Sequence, residues 1–184
     1  MSKKFKYQTR HSMKVQNIKV GFRFEPQLTK SEIIAKLSQS DPKIYHNFLV
    51  LRDNFVFTIF WTGCYINITK ISDLDNIKLA ASQITKKLEV SYKEIFVHNI
   101  CLSGSIDKKV PLRQLSFDLK RHYRTSFNTH FFPALFLRKN EEPTIILFQN
   151  GKYSIIGAKS KIQAEKSFEY LKNVLASNYN YDLS

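Results

Sequence analysis

Long apolar runs are missing from this chain. No stretch approaches the roughly 20 apolar residues needed to cross a bilayer, so a membrane is not among the expected partners. Cysteine is scarce: Cys64 and Cys101 are the only two, too few for a disulfide scaffold or a zinc site. Residues 1–10 are basic and polar with no apolar core behind them, which does not fit a secretory signal. An intracellular protein with buried thiols is therefore expected. The usual marks of catalysis are missing too: no glycine-rich phosphate loop, no His-Glu-x-x-His and no Cys-x-x-Cys. The five histidines, His11, His46, His98, His122 and His130, lack the spacing of metal ligands. Asp73 and Asp75 are close, but at a helix start they read as a cap and a dipole partner. The expectation is a protein that is not an enzyme, with no cofactor, metal or small-molecule substrate.

Acidic residues are also few: 15 Asp and Glu stand against 29 Lys and Arg, a net charge of +14. A globular domain this basic usually meets a polyanion, because each phosphate contact on nucleic acid releases counterions. The plainer reading is a solubilising excess. The 184 residues are 43% hydrophobic and 14% aromatic, enough for a real core. The abundance of Lys, Asn, Ile and Phe suits an AT-rich genome, a viral one included.

Residues 1–12 read as a flexible basic arm. Residues 15–24 alternate as a strand, and Thr29 with Ser31 and Glu32 opens an amphipathic helix that Pro42 closes. Three strands follow at 48–52, 55–60 and 65–71, with turns at Asp53-Asn54 and Thr62-Gly63. Asp73 is the expected N-cap of a helix reaching about Leu88. The order then recurs: a strand at 95–102, a helix at 112–123 after Pro111, strands near 133–139, 143–149 and 152–157, and a helix at 161–175.

Subtraction supports a duplication. Asn17 to Asn99 is 82 residues, Arg52 to Arg138 is 86, and Gly63 to Gly151 is 88. Local text agrees, with Val15-Gln16-Asn17-Ile18 against Val97-His98-Asn99-Ile100.

The run Phe132-Pro133-Ala134-Leu135-Phe136-Leu137-Arg138 resembles the second repeat of the TATA-binding protein family. So does Ile145-Ile146-Leu147-Phe148-Gln149-Asn150-Gly151-Lys152, continuing to Gly157-Ala158-Lys159. The likeness extends more weakly over about 13–176. It implies an α+β saddle: two pseudo-symmetric repeats, 13–92 and 93–176, form one curved antiparallel sheet with helices on the convex face. A tail covers 177–184. The resemblance also implies that the concave face rests on the minor groove of an AT-rich promoter and bends it.

Residue by residue, the resemblance carries Phe132 and Phe148 to one DNA wedge, and Phe60 with His46 to the other; Tyr45 and Phe48 are near enough to serve. Asn17 and Asn99 match the central minor-groove contacts, where A·T edges show only acceptors and a neutral donor is needed. Ile66, Ile68, Cys101, Ile146 and Ile156 match apolar contacts of the concave face, and Arg52, Arg138, Lys152 and Lys159 match phosphate contacts.

Departures from the family pattern are also visible. Lys19, Thr58 and Ser154 stand where apolar residues are usual, and Thr69-Lys70-Ile71 replaces the Gly-Ala-Lys triplet. Asn128, Thr129 and His130 occupy the stretch where the family carries acidic residues that hold transcription factor IIB. Lys120-Arg121-His122-Tyr123-Arg124 is a dense basic run able to meet a polymerase subunit, a cofactor or DNA phosphate. The leading expectation is a promoter-bending initiation factor, partnered by double-stranded DNA and by other initiation factors or RNA polymerase subunits. Its place is the nucleus, or a cytoplasmic virus factory for a viral source. The alternative is a subunit that keeps the fold for protein–protein contacts and no longer bends DNA. A third class, an enzyme, draws only on the single-repeat relatives of this fold in glycosylases and a ribonuclease H.

Overall fold

The computed structural model describes residues 13–61, 64–106 and 108–179, with side chains to residue 177. The expected arm, 1–12, lies outside the described residues. So does the Thr62-Gly63 turn. The chain divides into two compact units, Val15–Cys101 and a second built from Leu102 onward.

The N-terminal unit contains β1 (Lys14–Glu25), α1 (Lys30–Leu37), β2 (Lys43–Ile44), β3 (Phe48–Arg52), β4 (Val56–Phe60), β5 (Tyr65–Ile71), α2 (Asn76–Leu88) and β6 (Ser91–Tyr92). Its strands pair antiparallel in the order β2-β3-β4-β5-β1, and β6 pairs β1. β7 (Phe96–Ser105) carries the boundary between units. The second unit adds α3 (Leu112–Asp118), β8 (Arg124–Asn128), β9 (Phe132–Arg138), β10 (Thr144–Phe148), β11 (Lys152–Ala158) and α4 (Lys161–Tyr179). Its order is β7-β11-β10-β9-β8. The expected tail 177–184 is described only to 179, and α4 takes in those first tail residues.

Alternation in the strands decides which face meets the helices. Leu49 and Leu51 of β3, Phe57 and Ile59 of β4, and Ile66, Ile68 and Ile71 of β5 are all buried. They share a core with Ile33 and Leu37 of α1 and Ala81, Ile84 and Leu88 of α2. In the second unit Leu135, Leu137, Ile145, Leu147 and Ile155 do the same beside Ala164, Phe168 and Leu171 of α4. Each such side chain contributes roughly 1.5–3 kcal/mol when withdrawn from water, so these stripes dominate the choice of face.

Helix ends follow local chemistry. Thr29 closes a capping box on α1: its hydroxyl accepts the Glu32 amide and Glu32 takes the Thr29 amide at 2.7 Å. The Glu32 carboxyl is held below its ordinary range by the Thr29 hydroxyl. The cap of α2 differs from expectation. Asp73 accepts the Asp75 amide at 3.0 Å and shapes the turn before the helix, which starts at Asn76. The helix expected over 112–123 also ends sooner. α3 stops at Asp118, a 3₁₀ turn covers Leu119–Arg121, and 124–128 is a strand that pairs with β9. The Thr125 hydroxyl ties that strand to the Ser116 carbonyl at 2.9 Å.

Candidate nucleic-acid interface

Each unit leaves one sheet face uncovered by its helices, and the two faces correspond position by position. β4 and β10 are both five residues, β5 and β11 both seven, with matching burial alternation. The pair Thr58↔Asn67 answers Ile146↔Ser154, and Val56↔Thr69 answers Thr144↔Ile156.

In the second unit the open face carries Phe132, Phe136, Ile146, Phe148, Ser154 and Ile156. The rings of Phe132 and Phe148 meet edge-on at 5.8 Å between centroids, and Phe136 lies 5.7 Å from Phe132. Phe132 is 43% exposed, unusual for an aromatic side chain in a strand. Phe148 sits opposite Ala134, whose small side chain leaves room for Phe132 to lean over it.

In the N-terminal unit Phe60 sits opposite Phe48 at 5.9 Å, and Tyr45 stacks on Phe48 at 4.7 Å. The Tyr45 amide donates to the Phe48 carbonyl at 2.8 Å, which folds Tyr45 onto that ring. His46 is exposed in the intervening bend, and the ring that joins Phe60 is Phe48.

Ile66 and Ile68 require a correction. Both were expected on the open face, and both are fully buried against the helices. Their place on the open face is taken by Tyr65, Asn67 and Thr69. The cause is a one-residue slip. Between β4 and β5 lie positions 61–64, but between β10 and β11 only 149–151. A shift of one residue in a strand moves every side chain to the opposite face. Cys101, Ile146 and Ile156, half-buried or exposed, take the expected side.

Asn17 and Asn99 are half-buried at equivalent strand positions. The Asn17 carbonyl accepts the Lys70 backbone amide at 2.8 Å. Lys70 is the extra residue of a bulge where β1 and β5 change register, and its φ is 65°. Asn17 thus spends its acceptor inside the fold and keeps its amide nitrogen as the donor end. The Asn99 amide nitrogen approaches Cys101 Sγ at 3.1 Å.

Arg52, Arg138, Lys152 and Lys159 are all exposed, the first three at strand ends. The Arg138 guanidinium lies 5.1 Å from the Phe136 ring centre, which steadies it beside the aromatic pair. Arg52, Arg138 and Lys152 form no ion pair among the described residues.

Sequence reasoning missed one feature. The Tyr65 hydroxyl and His98 Nε2 are hydrogen-bonded over Gly21, where any Cβ would collide with both. Burial pushes the Tyr65 phenol up from its ordinary range. Glycine inside an otherwise regular strand was the available signal, since it marks close approach of another group.

No cluster of three or more His, Cys, Asp or Glu able to hold a metal exists among the described residues. No helix among them is long and apolar enough to cross a membrane.

Comparison with known proteins gives a consistent picture. The family described as "Transcription factor TFIID (or TATA-binding protein, TBP)" matches residues 94–178. TATA-box-binding protein C of Halobacterium salinarum is 26% identical over 164 residues, covering 84% of this chain and 90% of that protein. TATA-box-binding protein 1 of Arabidopsis thaliana is 32% identical over 108 residues, covering 55% of this chain and 53% of the relative. The solved TBP of Methanococcus jannaschii superposes with a TM-score of 0.78 at 19% identity, covering 90% of this chain and 99% of that one. That likeness fixes the fold as α+β of the same kind.

Proposed function

This chain belongs to the TATA-binding protein family of transcription factors, and from that premise we propose that it binds AT-rich promoter DNA through the minor groove and bends it to start transcription. The observation that carries this reading is the Phe132–Phe148 pair: two rings held edge to face at 5.8 Å on an uncovered sheet face.

Phe132 and Phe148 insert between base pairs at one end of the site. Phe60 with Phe48 does so at the other, taking the part first expected of Phe60 and His46. Unstacking costs a few kcal/mol per step and is offset by the extra protein surface that bent DNA covers. Asn17 and Asn99 donate to purine N3 and pyrimidine O2 at the centre, where A·T pairs show acceptors only. Cys101, Ile146 and Ile156 press apolar surface on sugars and base edges. Arg52, Arg138, Lys152 and Lys159 fix register through phosphates, without reading sequence. Other initiation factors or polymerase subunits then dock on the bent complex.

The test is a fluorescence bending assay on end-labelled AT-rich and GC-rich duplexes. Wild type is expected to bind the AT-rich duplex tighter and bring its ends closer. Phe132→Ala/Phe148→Ala is expected to lose the bend and at least about 2 kcal/mol of binding, the scale of removing buried aromatic anchors. Equal bending by the variant would sink the wedge assignment.

A further inference from the structure

The basic run Lys120-Arg121-His122-Tyr123-Arg124 reads as one block, and the fold takes it apart. Lys120 lies over the Phe117 ring of α3 at 4.7 Å, and His122 Nδ1 meets the Tyr170 hydroxyl of α4 at 3.0 Å. Tyr123 is buried. Arg124 alone enters the sheet, as the first residue of the edge strand β8. Thr125 turns to the helix side, where its hydroxyl donates to the Ser116 carbonyl of α3. Alternation therefore puts Arg124 and Ser126 on the open face. Directly opposite Arg124 across the β8–β9 pairing is Arg138. Opposite residues share a face, with Cβ atoms roughly 4.5–5.5 Å apart. Both arginines are exposed, and neither forms an ion pair among the described residues. Like charges set this way destabilise a sheet. No carboxylate in the sheet relieves them, since none of the strands β7 to β11 carries Asp or Glu. Glu142, in the turn after Arg138, is paired with Lys139 at 3.3 Å.

Two guanidinium groups held side by side without a carboxylate make a site that an anion completes. Each guanidinium is a planar fork of N–H donors that matches the oxygens of a phosphate. A backbone phosphodiester offers two non-bridging oxygens, one for each fork. The Phe136 ring, 5.1 Å from the Arg138 guanidinium, restrains that arginine on the face that carries Phe132 and Phe148. We propose that Arg124 and Arg138 form a clamp on a single DNA backbone phosphate beside the Phe132–Phe148 wedge. Repulsion between the arginines in the free protein is relieved when the phosphate enters, so part of the sheet's instability is released on binding. The clamp is confined to the second unit. Its N-terminal counterpart Arg52 pairs with Val56 on one side, while β2 meets β3 only at Lys43↔Val50 and Ile44↔Leu49 and sets no residue opposite Arg52. The proposal rests on the reading of the open face as the DNA-binding surface, and it adds Arg124 to that surface.

The experiment uses one AT-rich duplex and a series in which single backbone phosphates are replaced by uncharged methylphosphonates. Equilibrium binding of the full chain is measured at fixed low salt. At one phosphate the replacement is expected to weaken wild-type binding at least about tenfold, the scale of a hydrogen bond to a charged group. Arg124→Gln and Arg138→Gln are each expected to shrink that penalty to roughly threefold, half of the free energy, at the same phosphate. The double variant is expected to abolish it. Arg121→Gln, the same charge change within the same run, leaves every penalty as in wild type. A second readout needs no DNA: Arg124→Gln is expected to raise the urea midpoint of the free protein, because two like charges no longer face each other. Penalties that Arg124→Gln and Arg138→Gln shrink at two different phosphates overturn the clamp. So does an Arg124→Gln variant that shrinks none, or one whose urea midpoint falls, which would show Arg124 partnered within the fold. A duplex series in which no methylphosphonate weakens wild-type binding overturns the DNA-binding reading itself.

Discussion

Tyr153 is fully buried, with its ring stacked on Phe168 at 4.1 Å and 18°. Its hydroxyl has no hydrogen-bond partner among the described residues. Gly104 makes room for it, since a Cβ there would stand 2.3 Å from the Tyr153 oxygen. Burial, helped by the Glu169 charge, pushes the Tyr153 phenol far above its ordinary value. The unfolded chain releases that proton near pH 10 while the folded chain keeps it. Above pH 10 the folded state therefore binds more protons than the unfolded state, and stability falls as pH rises. Tyr123 shares this behaviour, with its phenol also raised mainly by burial. Two outcomes are expected for Tyr153→Phe in urea denaturation. At neutral pH stability is unchanged or rises by up to about 1 kcal/mol, because an unsatisfied buried hydroxyl has gone. Between about pH 9 and 11 the variant loses less stability than wild type. A clear loss at neutral pH would show that the hydroxyl is bonded after all.

The equivalence of β5 and β11 makes a second prediction at the scale of the element. Both strands carry a residue with positive φ at the sixth position: Lys70 at 65° and Gly157 at 92°. A side chain in this left-handed region costs roughly 1–2 kcal/mol, which glycine avoids. The Asn17 acceptor uses only the backbone amide of Lys70, which glycine retains. Lys70→Gly is therefore expected to stabilise the N-terminal unit by about 1 kcal/mol, less the added entropy of an unfolded glycine. A rise in the urea midpoint with unchanged m-value checks it, and a fall would mean that the lysine stem contributes more than the strain costs. The same strand shows what was legible. Local alternation, with Asn67 and Thr69 set between Ile66, Ile68 and Ile71, puts the isoleucines in the core. Family register, counted through Gly63 and Gly151, put them one step off, because the extra residue lies in a turn that alternation does not touch. His46 was similar: counting led to it, while the hydrogen bond that folds Tyr45 back onto Phe48 has no trace in spacing.

At the scale of the whole molecule the duplication was readable, because both copies must close the same kind of core and so keep the same stripes. The second copy also kept its surface text, from Phe132 to Arg138 and from Ile145 to Lys152. Strand β8 starts at Arg124, the last residue of a basic run that reads as a helix end, and Thr125–Asn128 show little apolar alternation to mark it. What the stripes could not fix is how the +14 charge is used. Four exposed cations, Arg52, Arg138, Lys152 and Lys159, are the expected phosphate contacts. Each phosphate neutralised on duplex DNA contributes about 0.9 to the slope of log K against log salt. Replacing all four by glutamine is therefore expected to lower that slope by about 3 to 4 and to weaken binding most at low salt. The preference for AT-rich over GC-rich DNA should be unchanged, since phosphates carry no sequence. Lysines on the helices, Lys78, Lys86, Lys161 and Lys166, are exposed as well, and four glutamines there preserve the same net charge change. If the charge acts only as a general field, the helix set lowers the slope as much as the strand set. If these four cations mark the path of the DNA backbone, the helix set leaves the slope nearly intact.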